Sequence, residues 1–326
     1  MIKKELISKF NSLLASSKQI LVLSHKSPDG DAVGVMLAAG RMLEELGKRV
    51  DLVFSERLAS SYNFLKGIEK LSSEMPESDP DLILILDCGN PKRTGFFESH
   101  PEIFSGRIPM VVIDHHISEA NFDFPKNSLK ITNFEASSTS EIMYDVICAS
   151  GFLIDKEIAM SLLTGIYFDT GSFQHSNTSE RTLKIASELV ARGARVSKIS
   201  KHLFNTKNVS SLRLWGRVLL RIRQDRRFGI VTSIVTLKDL IECEATIEDL
   251  GDVVNLINSI PGARASILLS EREKEEIKGS IRVGADGDVD ATRLAAIFGG
   301  GGHVKAAGFS VKGRFEEDSS GWKVVR

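Results

Sequence analysis

Three short apolar runs in the first 120 residues each end in histidine or aspartate. They are Ile20-Leu21-Val22-Leu23-Ser24-His25, Leu82-Ile83-Leu84-Ile85-Leu86-Asp87, and Met110-Val111-Val112-Ile113-Asp114 with His115 and His116 directly behind. Each is far shorter than the ~20 residues of a membrane span. Each lacks the polar alternation of a strand with one wet face, so all three read as strands buried on both sides, as in a parallel sheet. A further run, Arg49–Ser55, reads the same way. Residues 30–47 place apolar side chains at three- and four-residue spacing and end on Gly47, the pattern of a helix with a glycine stop. Strand, turn and amphipathic helix in repetition predict an α/β fold: a mainly parallel sheet covered by helices, with ligands gathering at the carboxyl ends of its strands.

From Thr139 to Arg223 the pattern turns helical, and no proline interrupts residues 126–259. Strand patterns return after Arg227, in 228–237, 266–271 and 276–284, followed by a Gly299–Gly302 tract. A chain of 326 residues has room for two cores. The expected division is a larger domain over 1–200, a helical linker over 201–222 and a smaller α/β domain over 223–326.

Lys+Arg total 42 against 43 Asp+Glu, a net charge of -1, so an anionic partner must be gripped locally and long duplex nucleic acid is not an expected ligand. The amphipathic N-terminus lacks the apolar centre and cleavage site of a secretory signal, and Cys88, Cys148 and Cys243 are too few and too scattered for a disulfide framework. These features predict a cytoplasmic chain with no membrane segment.

Chemistry concentrates at the strand ends. The turn after the first run carries His25, Asp29 and Asp31, the second run ends in Asp87, the third delivers Asp114, His115 and His116, and Asp169 closes an apolar helix. Alone, any such aspartate reads first as a helix cap or turn residue. Together they would set buried carboxylates side by side, an arrangement that repulsion forbids without cations. Mixed imidazole and carboxylate donors suit Mn, Fe, Co or Zn better than Mg or Ca, and a shared carboxylate would let the set hold two ions.

The spacing His25-x3-Asp29-x-Asp31, then Asp87, then the literal Asp114-His115-His116, then Asp169, resembles the motifs of the DHH phosphoesterase family. Phe298-Gly-Gly-Gly-Gly-His303-x2-Ala306-Ala307-Gly308 resembles the signature of its DHH-associated C-terminal domain, and the compact two-domain form is similar to the nanoRNase and pAp-phosphatase branch. The resemblance implies two divalent ions, with manganese expected. His25, Asp29 and Asp87 would hold one, and Asp31, Asp87, His115 and Asp169 the other, Asp87 bridging. His116 would be left to contact the scissile phosphate or protonate the leaving oxygen, with Asp114 orienting a neighbouring imidazole. Water activated between the two ions would attack phosphorus in line.

The glycine tract reads as a flexible turn or, equally, as backbone laid bare for a phosphate at Gly300, Gly301 and Gly302, with His303 adding a donor. Arg282 matches the family's substrate-binding arginine, and Lys305 and Arg264 are weaker candidates. Ala136–Ile142 offers hydroxyls at a helix start, foremost a cap. Asp286-Gly287-Asp288 begins like a calcium loop but lacks the turn glycine and closing glutamate, and reads as a solvated turn. The 270–280 run reads as a hairpin. The expected activity is hydrolysis of short single-stranded RNA and of 3′-phosphoadenosine 5′-phosphate (pAp). The alternatives are a phosphodiesterase for cyclic or linear dinucleotides and a nucleotide-sensing module without turnover. A homodimer is left open.

Overall fold

The computed structural model describes residues 2–56, 58–116, 125–203, 208–251, 253–273, 275–284, 289–318 and 321–325, with residue 303 described through its backbone alone. The chain divides into two compact units, Met1–Thr206 and Lys207–Arg326. Among the described residues no helix is long and apolar enough to cross a membrane.

In the first unit, β1 (Gln19–Leu23), β2 (Arg49–Val53), β3 (Leu71–Ser72), β4 (Leu82–Leu86), β5 (Met110–Asp114) and β6 (Leu129–Thr132) form one sheet in the order β3-β2-β1-β4-β5-β6. Every neighbouring pair is parallel. All five residues of β4 and of β5 are buried, as their unbroken apolar sequence requires. One face packs on α1 (Lys4–Ser16), α2 (Gly30–Glu45), α3 (Thr139–Ala149), α4 (Lys156–Asp169), α5 (Glu180–Ala191) and α6 (Val196–Leu203). The other face buries Leu21, Leu23, Ile83, Ile85 and Val112 against Phe96, Ile103 and Phe104. Those partners come from turns in 91–108, where Pro91, Gly95, Pro101 and Gly106 stop a long helix from forming.

α2 starts where Asp29 accepts hydrogen bonds from the amides of Asp31 and Ala32, and it ends at Gly47, whose φ of 72° suits glycine. α2 and α4 cross closely because a glycine on each helix leaves no room for a side chain at the crossing. A Cβ at Gly34 would lie 2.4 Å from the Ser161 carbonyl oxygen, and one at Gly165 would lie 2.4 Å from Asp31 Oδ1.

In the second unit, α7 (Val209–Leu220) buries Leu214 and Val218 against Val231, Val235 and Leu268. β7 (Arg223–Asp225), β8 (Ile230–Val235), β9 (Ala265–Arg272), β10 (Glu276–Arg282), β11 (Gly301–His303) and β12 (Ala306–Lys312) form a mixed sheet ordered β11-β12-β10-β9-β8-β7, in which β8 and β9 run parallel. β9 and β10 are the hairpin expected around 270–280. α8 (Leu237–Glu242), α9 (Val253–Asn258) and α10 (Ala291–Ala296) accompany this sheet, and β13 (Arg314–Asp318) pairs with β14 (Gly321–Val325) as a separate hairpin. Asp286 to Asp288, the calcium-like turn, lies outside the described residues, and Asp290 beside it caps α10 through the Thr292 amide.

Candidate active site

The parallel order puts the carboxyl ends of β1, β4 and β5 side by side, and each strand hands on its polar residue just past its last apolar one. His25 lies two residues beyond β1, Asp87 one beyond β4, and Asp114 is the last residue of β5. α2 brings Asp29 and Asp31 by its first turn, and α4 brings Asp169 by its last residue. The backbone at Asp87 has a φ of 55°, a left-handed conformation that an aspartate adopts at some cost and that is often found at functional positions.

The side chains converge. His25 Nε2 is 3.5 Å from Asp87 Oδ2 and 3.9 Å from Asp29 Oδ1. His115 Nε2 is 3.2 Å from Asp169 Oδ2 and 3.8 Å from Asp87 Oδ1. His116 Nδ1 is 3.5 Å from Asp87 Oδ1. His25 with Asp29 and Asp87, Asp31 with His115 and Asp169, and Asp87 with both adjacent histidines each offer ligand atoms within 4.8 Å of one another. Seven of the eight strand-end and helix-end candidates therefore meet in one place, with Asp87 and His115 each shared between two groups.

The electrostatics are those of a site short of positive charge. Burial, followed by the Asp87 charge, pushes the carboxyls of Asp29 and Asp31 above the ordinary range, Asp31 strongly. Asp169 is raised strongly by burial and then by Asp31, Asp87 and Asp29. Burial would raise Asp87 too, but the imidazoles of His25, His115 and His116 outweigh it and hold the group at about 2. His115 is lowered, by burial above all, which leaves a neutral ring with a lone pair to offer. Its Nε2 is buried without a hydrogen-bond partner although two carboxylate oxygens face it. An orphaned imidazole nitrogen among uncompensated carboxylates fits a divalent cation, which accepts all of these donors at once.

Asp114 stands apart from that convergence. Its Oδ1 is 2.9 Å from His116 Nδ1 and also accepts from the His116 amide, so one edge of the ring is fixed and the half-buried ring leaves its other nitrogen unused by this pair. The bond to Asp114 leads in raising the His116 pKa, against burial.

Several contributors were not visible as site residues in the sequence. The amides of Thr139 and Ser140, at the start of α3, donate to the two oxygens of Asp31 at 2.6 and 3.0 Å, and the Thr139 hydroxyl donates to Asp87 Oδ1 at 2.8 Å. Ser138 is the expected cap of α3, accepting from the Glu141 amide, so the 136–142 tract caps a helix and also clamps two carboxylates. His175 and Asn177 reach the Asp169 carbonyl oxygen at 3.0 and 3.3 Å. Arg93, exposed in the turn Pro91–Thr94, opposes protonation of His116 by its charge.

In the second unit, the register sets Arg282 opposite Ala306 and Ala306 opposite His303, so these three positions form one row across β10, β12 and β11. The His303 side chain lies outside the described residues. Arg282 Nε donates to Asn255 Oδ1 at 3.1 Å. Within the glycine tract, a Cβ at Gly300 would meet the Gly308 carbonyl oxygen at 2.2 Å, and one at Gly302, where φ is 146°, would meet the Ala306 carbonyl oxygen at 2.6 Å. Gly301 faces open space, so packing does not demand glycine there. Lys305 Nζ donates to the Gly284 carbonyl, and the Arg264 stem packs beside Gly229.

Comparison with known proteins agrees with this geometry. Residues 19–166 match the DHH family, N-terminal domain, and residues 231–319 match the DHHA1 domain. The bifunctional oligoribonuclease and PAP phosphatase NrnA of Thermus thermophilus is 32% identical over 308 residues, covering 92% of this chain and 86% of that protein. The protein of the same description from Bacillus subtilis is 27% identical, covering 92% and 91%. The solved structure of an exopolyphosphatase-related protein from Bacteroides fragilis superposes with a TM-score of 0.87 at 28% identity, covering 95% of this chain and 92% of that one. With both domains matched in order and a relative 32% identical over most of both chains, the chain belongs to the DHH family of phosphoesterases.

Proposed function

We propose that this protein is a metal-dependent phosphoesterase that hydrolyses short oligoribonucleotides and pAp. The observation that carries the reading is His115 Nε2, buried and unpartnered among the carboxylates of Asp31, Asp87 and Asp169. The names borne by the Thermus and Bacillus relatives supply the substrate class. His25, Asp29 and Asp87 would hold one ion, and Asp31, Asp87, His115 and Asp169 a second, with manganese suited to such mixed donors. Divalent ions bound there supply Lewis acidity and lower the pKa of coordinated water.

The chain's own residues do the rest. The α3 amides lock the Asp31 carboxylate, and the Thr139 hydroxyl restrains Asp87, so both keep their orientation as charge shifts. Asp114 holds His116 by Nδ1, which leaves Nε2 to contact the phosphate or give a proton to the leaving oxygen. The second unit offers Arg282, the Gly300–Gly302 backbone and His303 to the substrate's phosphate, a grip suited to a terminus and a few nucleotides.

The test is timed digestion, with manganese, of a 5′-labelled RNA ladder from dimers to 24-mers, alongside pAp, cyclic di-AMP and pyrophosphate. Cleavage fastest on oligomers of about two to five residues, together with pAp turnover, is expected, since a net charge of -1 gives no broad basic field to follow a long backbone. A 24-mer degraded as fast as a trimer would overturn the reading in favour of a long-strand exonuclease, and cyclic di-AMP as the best substrate would favour the dinucleotide alternative.

A further inference from the structure

Behind the clamp on Asp31 and Asp87 stands a further carboxylate. Glu141 is 2% exposed and belongs to none of the three groups that bring ligand atoms together. A glutamate three residues after a serine cap ordinarily reaches back to the amide of the cap itself. Glu141 reaches one residue further, its Oε2 accepting from the Ser137 amide at 3.2 Å and from the Ser137 hydroxyl at 2.7 Å. The same oxygen accepts from the Thr182 hydroxyl at 3.0 Å, and Oε1 faces Arg181 Nε at 3.6 Å. Thr182 and Arg181 lie in the first turn of α5, where Ser179 and Thr182 cap each other. Arg181 also pairs with Asp145, one turn further along α3. The start of α5 thus holds Glu141, and Glu141 holds Ser137.

Between Ser137 and Glu141 lie the residues that meet the cluster. Ser138 caps α3, and Thr139 and Ser140 supply the amides and the hydroxyl bound to Asp31 and Asp87. Residues Ser137, Ser138, Thr139 and Ser140 are all 0% exposed, so bulk water cannot take over a bond that Glu141 drops. A second tie runs on the outside. Asn177 Nδ2 donates to the Ser137 carbonyl at 3.1 Å and to the Asp169 carbonyl at 3.3 Å, which joins this loop to the end of α4 that carries Asp169. Carboxylates crowded together repel one another, and a loop fixed from behind keeps them where one ion can meet several.

We propose that Glu141 and Asn177 are positioning residues for the metal cluster. Glu141 fixes the Ser137–Ser140 loop that clamps Asp31 and Asp87, and Asn177 ties that loop to Asp169. The inference rests on the phosphoesterase reading for the ion. It adds that α5, which brings no ligand candidate of its own, governs how tightly the ion is held.

The experiment titrates manganese into the metal-free full chain by calorimetry and follows hydrolysis of a dinucleotide by the loaded protein. Glu141→Ala should weaken manganese binding about tenfold, the low end for an outer partner of a metal site, and lower kcat while KM stays within about twofold. Glu141→Gln keeps an oxygen able to accept the same three bonds, and its manganese affinity should return to within about threefold of wild type. Ser137→Ala removes one of those bonds without removing a charge, so it should shift affinity in the same direction by less, and it carries the test if Glu141→Ala does not fold. Asn177 is exposed, so Asn177→Ala should leave the Tm of the metal-free protein nearly unchanged and still weaken manganese a few-fold. A purely structural role would lower that Tm and leave the affinity of the folded protein alone. Wild-type manganese affinity in Ser137→Ala and Asn177→Ala, or a Glu141→Gln as impaired as Glu141→Ala, would overturn the proposal. A wild-type chain that takes up no manganese would remove the phosphoesterase reading and the positioning roles with it, whereas wild-type uptake and turnover with unresponsive variants would remove the positioning roles alone.

Discussion

At the strand ends of the first unit, Asp31, Asp87 and Asp114 are each at most 1% exposed, whereas Arg282 in the second unit is only half-buried and the Gly301 position faces open space. In the first region charged groups are packed against one another and held by a helix start, a threonine hydroxyl and a glycine crossing. In the second, a guanidinium and a stretch of bare backbone stand where water reaches them. Substitution in the buried cluster should therefore act on turnover and metal binding, and substitution in the open row on substrate affinity.

The largest effect is expected where ligand groups overlap. Asp87→Ala should leave a folded protein, judged by circular dichroism, and cut kcat by well over the roughly 10- to 100-fold that losing an outer partner of a metal site costs. Thr139→Val, which removes only the hydroxyl that steadies Asp87, should lie inside that smaller range. Near-wild-type activity of Asp87→Ala, with manganese still bound, would break the shared-ligand arrangement.

Removal of metal should be felt as stability, with a definite sign. Asp31 and Asp169 have folded-state values raised above the ordinary carboxylate value. Such groups contribute stability that is present below the unfolded value of about 4 and lost as pH rises through the folded one. Asp87, held at about 2, works oppositely, adding stability above its unfolded value and losing it only as strong acid is approached. Over the interval above the unfolded carboxylate value, the raised carboxyls make the metal-free protein less stable as pH climbs, while metal binding, which needs deprotonated ligands, strengthens. The gap in Tm between manganese-loaded and chelator-treated protein should widen over that interval. A constant or shrinking gap would mean that these carboxylates do not meet a cation.

The difference between the two regions also separates what the sequence could disclose from what it could not. The first cluster was legible because β1, β4 and β5 are unbroken apolar runs, and a polar residue at the end of such a run has one place to go. β6 was not, since Leu129-Lys130-Ile131-Thr132 is four residues long with every second one exposed. Nor was the pairing of Thr139 and Ser140 with Asp31, more than a hundred residues away, because a cap has a local sequence pattern and a contact across the fold has none. Gly165 reads in sequence as a weak point in a helix, yet it faces Asp31 and Ser140 where no side chain fits. The covering of the second sheet face by 91–108 escaped for a similar reason, as turns carry no periodicity. In the glycine tract the sequence could not distinguish Gly300 and Gly302, which packing requires, from Gly301, which it does not.

The smallest effect, and the sharpest test of the open region, concerns Asn255. Its Oδ1 accepts from Arg282 Nε while Arg282 Nη1 donates to the Ile281 carbonyl, so two bonds set the plane of the guanidinium. Asn255 is exposed, and water competes for the bond, which limits its net worth to about 0.5–1.5 kcal/mol. Asn255→Ala should therefore raise the KM for a dinucleotide by a few-fold, about 2- to 12-fold on that scale, with kcat, bound manganese and Tm nearly unchanged. Arg282→Ala should raise KM further, and the double variant should resemble Arg282→Ala alone, because an asparagine with no guanidinium to orient has nothing left to contribute. Additive losses in the double variant would show Asn255 acting on substrate directly, and loss of manganese from either single variant would show that the second unit takes part in holding metal.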